Sequence, residues 1–254
     1  MAWNPSIYNQ FKEERFLPFY DLLSLLDIKP DQKVLDLGCG TGELTRKLAD
    51  ALPGSTALGI DSSGQMLEEA SAFASDSVSF DQRTIQEMSE REEKWDIIFS
   101  NAALQWADGH EGLFPKIIKQ LHPNGQLLVQ MPDQHHNLSN KLLNELAAQE
   151  PYKSHFNGWT RRSPVLDIEH YARILFENGG TNITIFEKVY PLILPDPEAL
   201  FTWVSGTALI PYKERLHGGI QQQFIEEYKL LLGKHFTGTP VFYAFKRILM
   251  KATF

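Results

Sequence analysis

The feature that most constrains this chain is the run Val34-Leu35-Asp36-Leu37-Gly38-Cys39-Gly40-Thr41-Gly42, followed by Leu44, Leu48 and Leu52 at helical spacing. An apolar stretch that closes on alternating glycines and opens into a helix reads as strand, tight turn, helix. Such a turn leaves amide N–H groups pointing outward at the helix start, and glycine lets a ligand approach the backbone. A dinucleotide fingerprint would need a further glycine at position 43, where Glu43 stands and would repel a pyrophosphate. NAD is therefore disfavoured. The stretch Cys39 to Arg46 also lacks the Lys-Ser or Lys-Thr pair of a phosphate-binding P-loop.

The same alternation continues downstream. Ala57-Leu58-Gly59-Ile60 ends at Asp61 and leads into a helix through Met66, Leu67 and Ala70, and Val78-Ser79-Phe80 begins a third strand. Asp96-Ile97-Ile98-Phe99 is a short buried strand, residues 113–121 read as helix, and Pro123-Asn124-Gly125 turns into Gln126-Leu127-Leu128-Val129. Strands alternating with helices predict an α/β fold around a mostly parallel sheet covered on both faces. Further on, residues 170–177 are helical, Ile183 to Phe186 form a strand, and Tyr243 to Met250 form the last one. The stretch 195–238 is long for a connection within a sheet and carries helical periodicity, so it is expected to be a helical cap insertion. The expected organisation is a single domain over 1–254, with an N-terminal helical lid at 1–28 and the cap at 195–238.

Charge and cysteine content limit the partners. Against 24 basic side chains stand 32 acidic ones, a net charge of -8 that disfavours nucleic acid and anionic membrane surfaces. Cys39 is the single cysteine and has no disulfide partner in the chain. Apolar runs stay below the roughly 18 residues of a membrane span, and no leader pattern opens the sequence, so a cytoplasmic setting is expected. The cluster 90–94 reads as a solvated loop, and no obligate protein partner is evident. His135-His136 lacks companion ligands at metal spacing, and no metal is expected.

Asp61 follows the last glycine of the turn by 61 − 42 = 19 residues, at a strand end where a carboxylate can accept hydrogen bonds from two vicinal ribose hydroxyls. A nucleoside without a pyrophosphate fits both features. The glycine run resembles the first motif of the class I S-adenosylmethionine-dependent methyltransferases, and Gly59-Ile60-Asp61-Ser62-Ser63 resembles their acidic second motif. That resemblance implies their Rossmann-like sheet, mostly parallel with an antiparallel strand near the C-terminus. It further implies that Asp36 and the backbone of Gly38, Cys39 and Gly40 hold the methionine moiety, Asp61 the ribose, and Ser62 with Met66 one edge of the adenine. The family commonly places an acidic residue after the third strand. Here Thr84, beside Ile85, stands at that position, which leaves a hydroxyl or backbone contact. Asn101 and Ala102, after the fourth strand, complete the implied cofactor set.

A closer resemblance, to the trans-aconitate methyltransferases, rests on three segments. These are Trp3-Asn4-Pro5-Ser6-Ile7-Tyr8 with Phe11 and Glu14-Arg15, then Asp96 through Asn101 to Leu104-Gln105-Trp106, and Leu127 to Asp133. Beyond residue 134 it is clearest at Trp203-Val204 and Pro211-Tyr212. It implies O-methylation of a small polycarboxylate, trans-aconitate foremost, with S-adenosylmethionine as cofactor. A carboxylate is already ionised at neutral pH, so its attack on a sulfonium methyl needs no general base, and no residue is expected to act as acid or base. Residues that orient an anion matter instead. Trp106 offers an indole N–H and a ring face for the sulfonium, and Arg15 offers a planar fork for a carboxylate. Tyr8, Gln105, Arg161 and Tyr212 join the acceptor set, with Arg162, Lys213 and His135-His136 as weaker members. Two alternatives remain at this point: a methyltransferase for a malonyl thioester on a carrier protein, and a cofactor-binding protein without transfer activity.

Overall fold

The computed structural model describes residues 12–134 and 136–254, with side chains from residue 16 onward. Its centre is a seven-stranded sheet in the order β3-β2-β1-β4-β5-β7-β6, with β1 Lys33–Leu37, β2 Thr56–Asp61, β3 Val78–Gln82, β4 Trp95–Asn101, β5 Leu121–Pro132, β6 Thr181–Leu194 and β7 Val241–Thr253. Strands β1 to β5 pair in parallel, and β7 returns antiparallel along β5. The sequence expectation of a mostly parallel sheet with a late antiparallel strand is met. Val34, Leu35 and Leu37 of β1 and Ile97, Ile98 and Phe99 of β4 are buried, as continuous apolar runs must be where both sheet faces are covered. Because β2 and β3 extend from one side of β1 and β4 and β5 from the other, strand order reverses between β1 and β4. A crevice opens outside the carboxyl ends of strands at such a point, and it is where ligands bind in open α/β sheets.

The chain divides into two compact units. The first takes residues 16–132, 164–188 and 247–254 and contains the glycine turn. Its core joins Leu35, Leu37 and Ile98 of the sheet to Phe114, Ile117, Tyr171 and Leu175, each fully buried large apolar side chain contributing about 2 kcal/mol relative to exposure. Here α1 (Lys12–Leu23) buries Phe19 edge-on against Phe99, with ring centroids 5.7 Å apart. Helix α2 (Glu43–Asp50) turns Thr45, Leu48 and Ala49 inward, followed by α3 (Gly64–Ala70) and α4 (Ile85–Ser89). The helix expected at 113–121 is α5, His110–Lys119. It starts after Gly109 in the left-handed region and stops early because Leu121 already pairs with Trp95 of β4.

The second unit comprises 133–163 and 189–246. Its own apolar cluster gathers Trp203 and Val204 of α9 (Pro197–Ser205), Tyr212 of α10 (Ile210–Lys213), and Phe224, Tyr228 and Leu232 of α11 (Gly218–His235). The helical stretch expected at 195–238 shares this core with α6 (Leu138–Ala147) and α7 (Tyr152–His155), which supply Leu142, Leu143, Leu146 and Tyr152. Helix α8 (Ile168–Glu177) belongs to the first unit. No described helix is long and apolar enough to cross a membrane.

Candidate active site

The glycine turn is built by backbone bonds at the carboxyl ends of β1 and β2. The N–H groups of Gly38 and Cys39 both donate to the Ile60 carbonyl, at 2.8 and 2.9 Å, so the turn folds over the end of β2. Gly38 has φ +81°, and a Cβ there would lie 2.1 Å from the Ala103 Cβ. Only glycine permits that close approach. Gly40, at φ +54°, differs: a Cβ there would meet no heavy atom within 4 Å, so its backbone faces open space.

Asp61 ties this turn to the next helix. Its Oδ2 accepts from the Gly40 N–H at 3.0 Å and its Oδ1 from the Ser63 N–H at 2.9 Å, while the Ser63 hydroxyl accepts from Met66 N–H and caps α3. Each carboxylate oxygen can accept a second bond, so the half-buried Asp61 keeps capacity for two neighbouring hydroxyls. Asp36 lies deeper, 4% exposed, and accepts from the Thr45 hydroxyl at 2.6 Å. Burial raises its pKa from 3.8 to about 7; the Thr45 bond opposes that rise and the Asp61 charge adds to it. The Cys39 thiol is buried and held well above its ordinary range, first by burial and then by the two carboxylates, so it stays an unreactive thiol.

The segment after β4 forms the opposite wall. Ala102 takes φ +56°, an uncommon conformation for a residue with a side chain, and strain of this kind persists only where surrounding bonds impose it. Its N–H donates to the Gln130 carbonyl at 2.8 Å, and its carbonyl accepts from Gln105 Nε2 at 2.6 Å. Asn101 Oδ1 accepts from Gln130 Nε2 at 2.7 Å, and Gln130 Oε1 accepts from Arg247 at 2.9 Å. Gln105 is therefore turned inward, 5% exposed, and supports the turn; Trp106, closing the 3-10 turn Leu104–Trp106, stays half-buried.

A second set of bonds holds this turn from behind. The Leu104 carbonyl lies 2.9 Å from His110 Nε2, and His110 Nδ1 lies 2.5 Å from the Tyr171 hydroxyl, which accepts from the Leu166 N–H at 2.9 Å. A carbonyl can only accept, so Nε2 carries a proton, and in the neutral ring Nδ1 is the acceptor facing the Tyr171 hydroxyl, which also lies 3.6 Å from Met131 Sδ. Burial, the main cause, lowers the His110 pKa and favours the same form.

The remaining residues of the expected site fall as follows. Ser62 is exposed and its carbonyl accepts from Gln82 Nε2; Met66 and Ile85 are half-buried, Ile85 against the first core. Thr84 begins α4 in a capping box: its hydroxyl donates to Glu87 Oε2 at 2.9 Å and accepts from the Glu87 N–H at 3.1 Å. Its one hydroxyl proton is thus engaged within the capping box. In the second unit Tyr212 is buried and donates to Asn144 Oδ1 at 2.7 Å, Arg161 is half-buried, and Arg162 is exposed. His136 Nδ1 stands 2.9 Å from Asp133 Oδ2. Tyr8, the Arg15 side chain and His135 lie outside the described residues. Thr45, Gln130, His110 and Tyr171 escaped the sequence reading. Only Gln130, a polar residue inside an apolar strand, carried a signal that could have exposed it.

An open glycine backbone, a strand-end carboxylate with spare acceptor capacity, and a buried carboxyl beside the turn suit a cationic nucleoside such as S-adenosylmethionine. The comparisons agree. A family model described as a methyltransferase domain matches residues 28–179. A trans-aconitate 2-methyltransferase of Deinococcus radiodurans is 42% identical over 259 residues, covering 100% of this chain and 98% of that protein. One of Escherichia coli K12 is 33% identical over 255 residues, covering 98% and 97%. Among solved structures, the YcgJ protein of Bacillus subtilis shares the fold with a TM-score of 0.61 at 16% identity, covering 93% of this chain and 97% of that one. A phosphoethanolamine N-methyltransferase of Haemonchus contortus, in complex with S-adenosylhomocysteine, aligns with a TM-score of 0.56 at 18% identity, covering 93% and 52%. A strand–glycine turn–helix closed by Asp61, at the strand-order reversal of this sheet, together with full-length kinship, shows that the chain belongs to the trans-aconitate 2-methyltransferase family of class I S-adenosylmethionine-dependent methyltransferases.

Proposed function

We propose that this methyltransferase esterifies one carboxylate of trans-aconitate. Full-length kinship to proteins named for that reaction carries the choice of acceptor, and neither a carrier-bound malonyl thioester nor a purely cofactor-binding role is favoured by it. Bound S-adenosylmethionine supplies an activated methyl group. In this reading Asp61 accepts from the ribose hydroxyls, the Gly38–Gly40 backbone faces the methionine end, and Asp36 sets the charge beneath it. Ser62, Met66 and the backbone at Thr84–Ile85 border the adenine, and Asn101 and Ala102 the opposite wall.

The acceptor carboxylate arrives ionised, so catalysis reduces to holding its oxygen in line with the methyl carbon and excluding water. Trp106 orients that carboxylate through its indole N–H, with Arg15 and Tyr8 as further donors. Gln105, His110 and Tyr171 act one step back: they fix the 3-10 turn that presents Trp106. His110 is neutral, buried and bonded through both ring nitrogens, which suits positioning rather than proton transfer. A chain with one buried free thiol fits a cytoplasmic setting.

The test is release of S-adenosylhomocysteine by the purified protein offered aconitate isomers, citrate, isocitrate and malonyl thioesters. trans-Aconitate is expected to give the highest kcat/KM. A preference for the thioester, or cofactor binding with no acid methylated, overturns the assignment.

A further inference from the structure

Three polar side chains stand in a row where β4 and β5 reach their carboxyl ends. Asn101 pairs in register with Gln130, and Gln130 with Leu249 of β7. Arg247 lies two residues before Leu249, so all three side chains share one face of the sheet, because side-chain direction repeats every second residue along a strand. Gln130 interrupts the apolar run Leu127 to Met131 and is fully buried, and Arg247 is 6% exposed. Polar groups at this depth need partners. Arg247 Nη1 donates to Gln130 Oε1 at 2.9 Å, and Gln130 Nε2 donates to Asn101 Oδ1 at 2.7 Å.

This row has a direction. A guanidinium only donates, so the Gln130 atom that faces it must be the oxygen. Gln130 then turns its N–H groups to Asn101, which must answer with Oδ1. The Asn101 Nδ2, a donor only, is left as the outer end of the row. One buried cation thereby sets the polarity of an amide two side chains away. The bond from the Ala102 N–H to the Gln130 carbonyl would form with any residue at 130 and does not call for glutamine. Asn101 itself borders the glycine turn. It is half-buried, its neighbour Ser100 donates to the Leu37 carbonyl at 3.0 Å, and Ala103 closes on Gly38.

We propose that Arg247 and Gln130 are positioning residues that hold Asn101 as a hydrogen-bond donor to a carboxylate oxygen in the crevice between β1 and β4. The assignment rests on the reading of the protein as a methyltransferase for a carboxylic acid. Both reactants carry the group, the cofactor at its methionine end and the acceptor at the atom that is methylated. In either case the anion meets an N–H and not an amide oxygen that would repel it. Arg247 and Gln130 act only through Asn101.

Gln130→Glu reverses the row with little change of shape. A carboxylate accepts from Arg247 and also from Asn101, whose amide must turn Nδ2 inward and Oδ1 outward. Calorimetry on the full chain reads two affinities: S-adenosylhomocysteine for the protein, and trans-aconitate for the protein saturated with it. One of them should fall by about tenfold or more, the loss of a charge-assisted bond, and the one that falls identifies the carboxylate. In an Asn101→Ala background the same substitution should change neither by more than about twofold, because no amide remains to be turned. Gln130→Met, uncharged and of similar size, keeps the test decisive if a carboxylate at 130 prevents folding. It removes the anchor of Asn101 and should lower the same affinity by a smaller factor, again only while Asn101 is present. No change in any measured affinity, or a loss of equal size in the Asn101→Ala background, overturns the proposal even if trans-aconitate is methylated. A loss that depends on Asn101, in a protein that methylates no acid, upholds the positioning role and overturns the proposed reaction.

Discussion

Asp36→Asn isolates the electrostatics of the cofactor site. Asparagine keeps the shape of the side chain and an oxygen to accept the 2.6 Å bond from Thr45, but it cannot ionise. In the folded protein the Asp36 carboxyl holds its proton up to about pH 7, against 3.8 for an unburied aspartate. Between these values the folded chain binds one more proton than the unfolded chain, so this group's contribution is full below about pH 4 and falls as pH rises towards 7. The slope is about 1.4 kcal/mol per pH unit, which amounts to about 4 kcal/mol over the whole interval and about 3 kcal/mol between pH 5 and 7. Well above pH 7 both states are ionised and the slope vanishes. Urea unfolding of the cofactor-free protein, followed by circular dichroism from pH 5 to 8, should show the unaltered chain losing about 3 kcal/mol relative to Asp36→Asn, with the two profiles parallel above pH 7. Profiles parallel across the whole range would refute the argument that burial without a cationic partner governs this carboxyl. A cationic cofactor placed beside Asp36 should draw the proton off, so binding of S-adenosylmethionine near pH 6.5 should release a proton, measurable by calorimetry in buffers of different ionisation enthalpy.

Other consequences are as direct. Gly38→Ala forces a Cβ to 2.1 Å from Ala103 and should cost roughly 3 kcal/mol or more in urea unfolding, whereas Gly40→Ala carries only the left-handed strain of ~1–2 kcal/mol; equal losses would sink the distinction. Asp61→Ala removes the acceptor for the Gly40 and Ser63 amides as well as for ribose, and should weaken S-adenosylmethionine by about 1 to 3 kcal/mol by calorimetry; unchanged affinity would remove the ribose assignment. Trp106→Phe and Arg15→Lys should hold cofactor affinity within about threefold while kcat/KM for trans-aconitate falls by the order of 10². Collapse of cofactor affinity in Arg15→Lys would move Arg15 to the methionine carboxylate.

How much of the site was legible depended on the range of the interaction that makes it. Asp36, Gly38, Gly40 and Asp61 could be singled out because a strand, a turn and a strand-end acid are written in consecutive residues. Thr84 was singled out by position, and its hydroxyl is bound to Glu87, three residues on, in a capping box that the Thr-x-x-Glu spacing already contained. His110 and Tyr171 stand 61 residues apart, and neither belongs to a local pattern that distinguishes a support of the Trp106 turn from ordinary core. Helices α6 and α7 were not read from periodicity, although Leu142, Leu143 and Leu146 bury one face of α6 against the second core.

The sequence by itself determined the α/β class, the glycine turn, the acid that follows it and the kind of cofactor these admit, because hydrophobic period and backbone geometry are properties of neighbouring residues. Only the tertiary structure decided that Asp36 titrates near neutrality, that His110 is the neutral tautomer holding Leu104, and that Lys141, Arg161 and Arg162 line one cavity. Desolvation, proton placement and the convergence of like charges depend on what surrounds a group in space, and those surroundings are assembled from residues far apart in the chain.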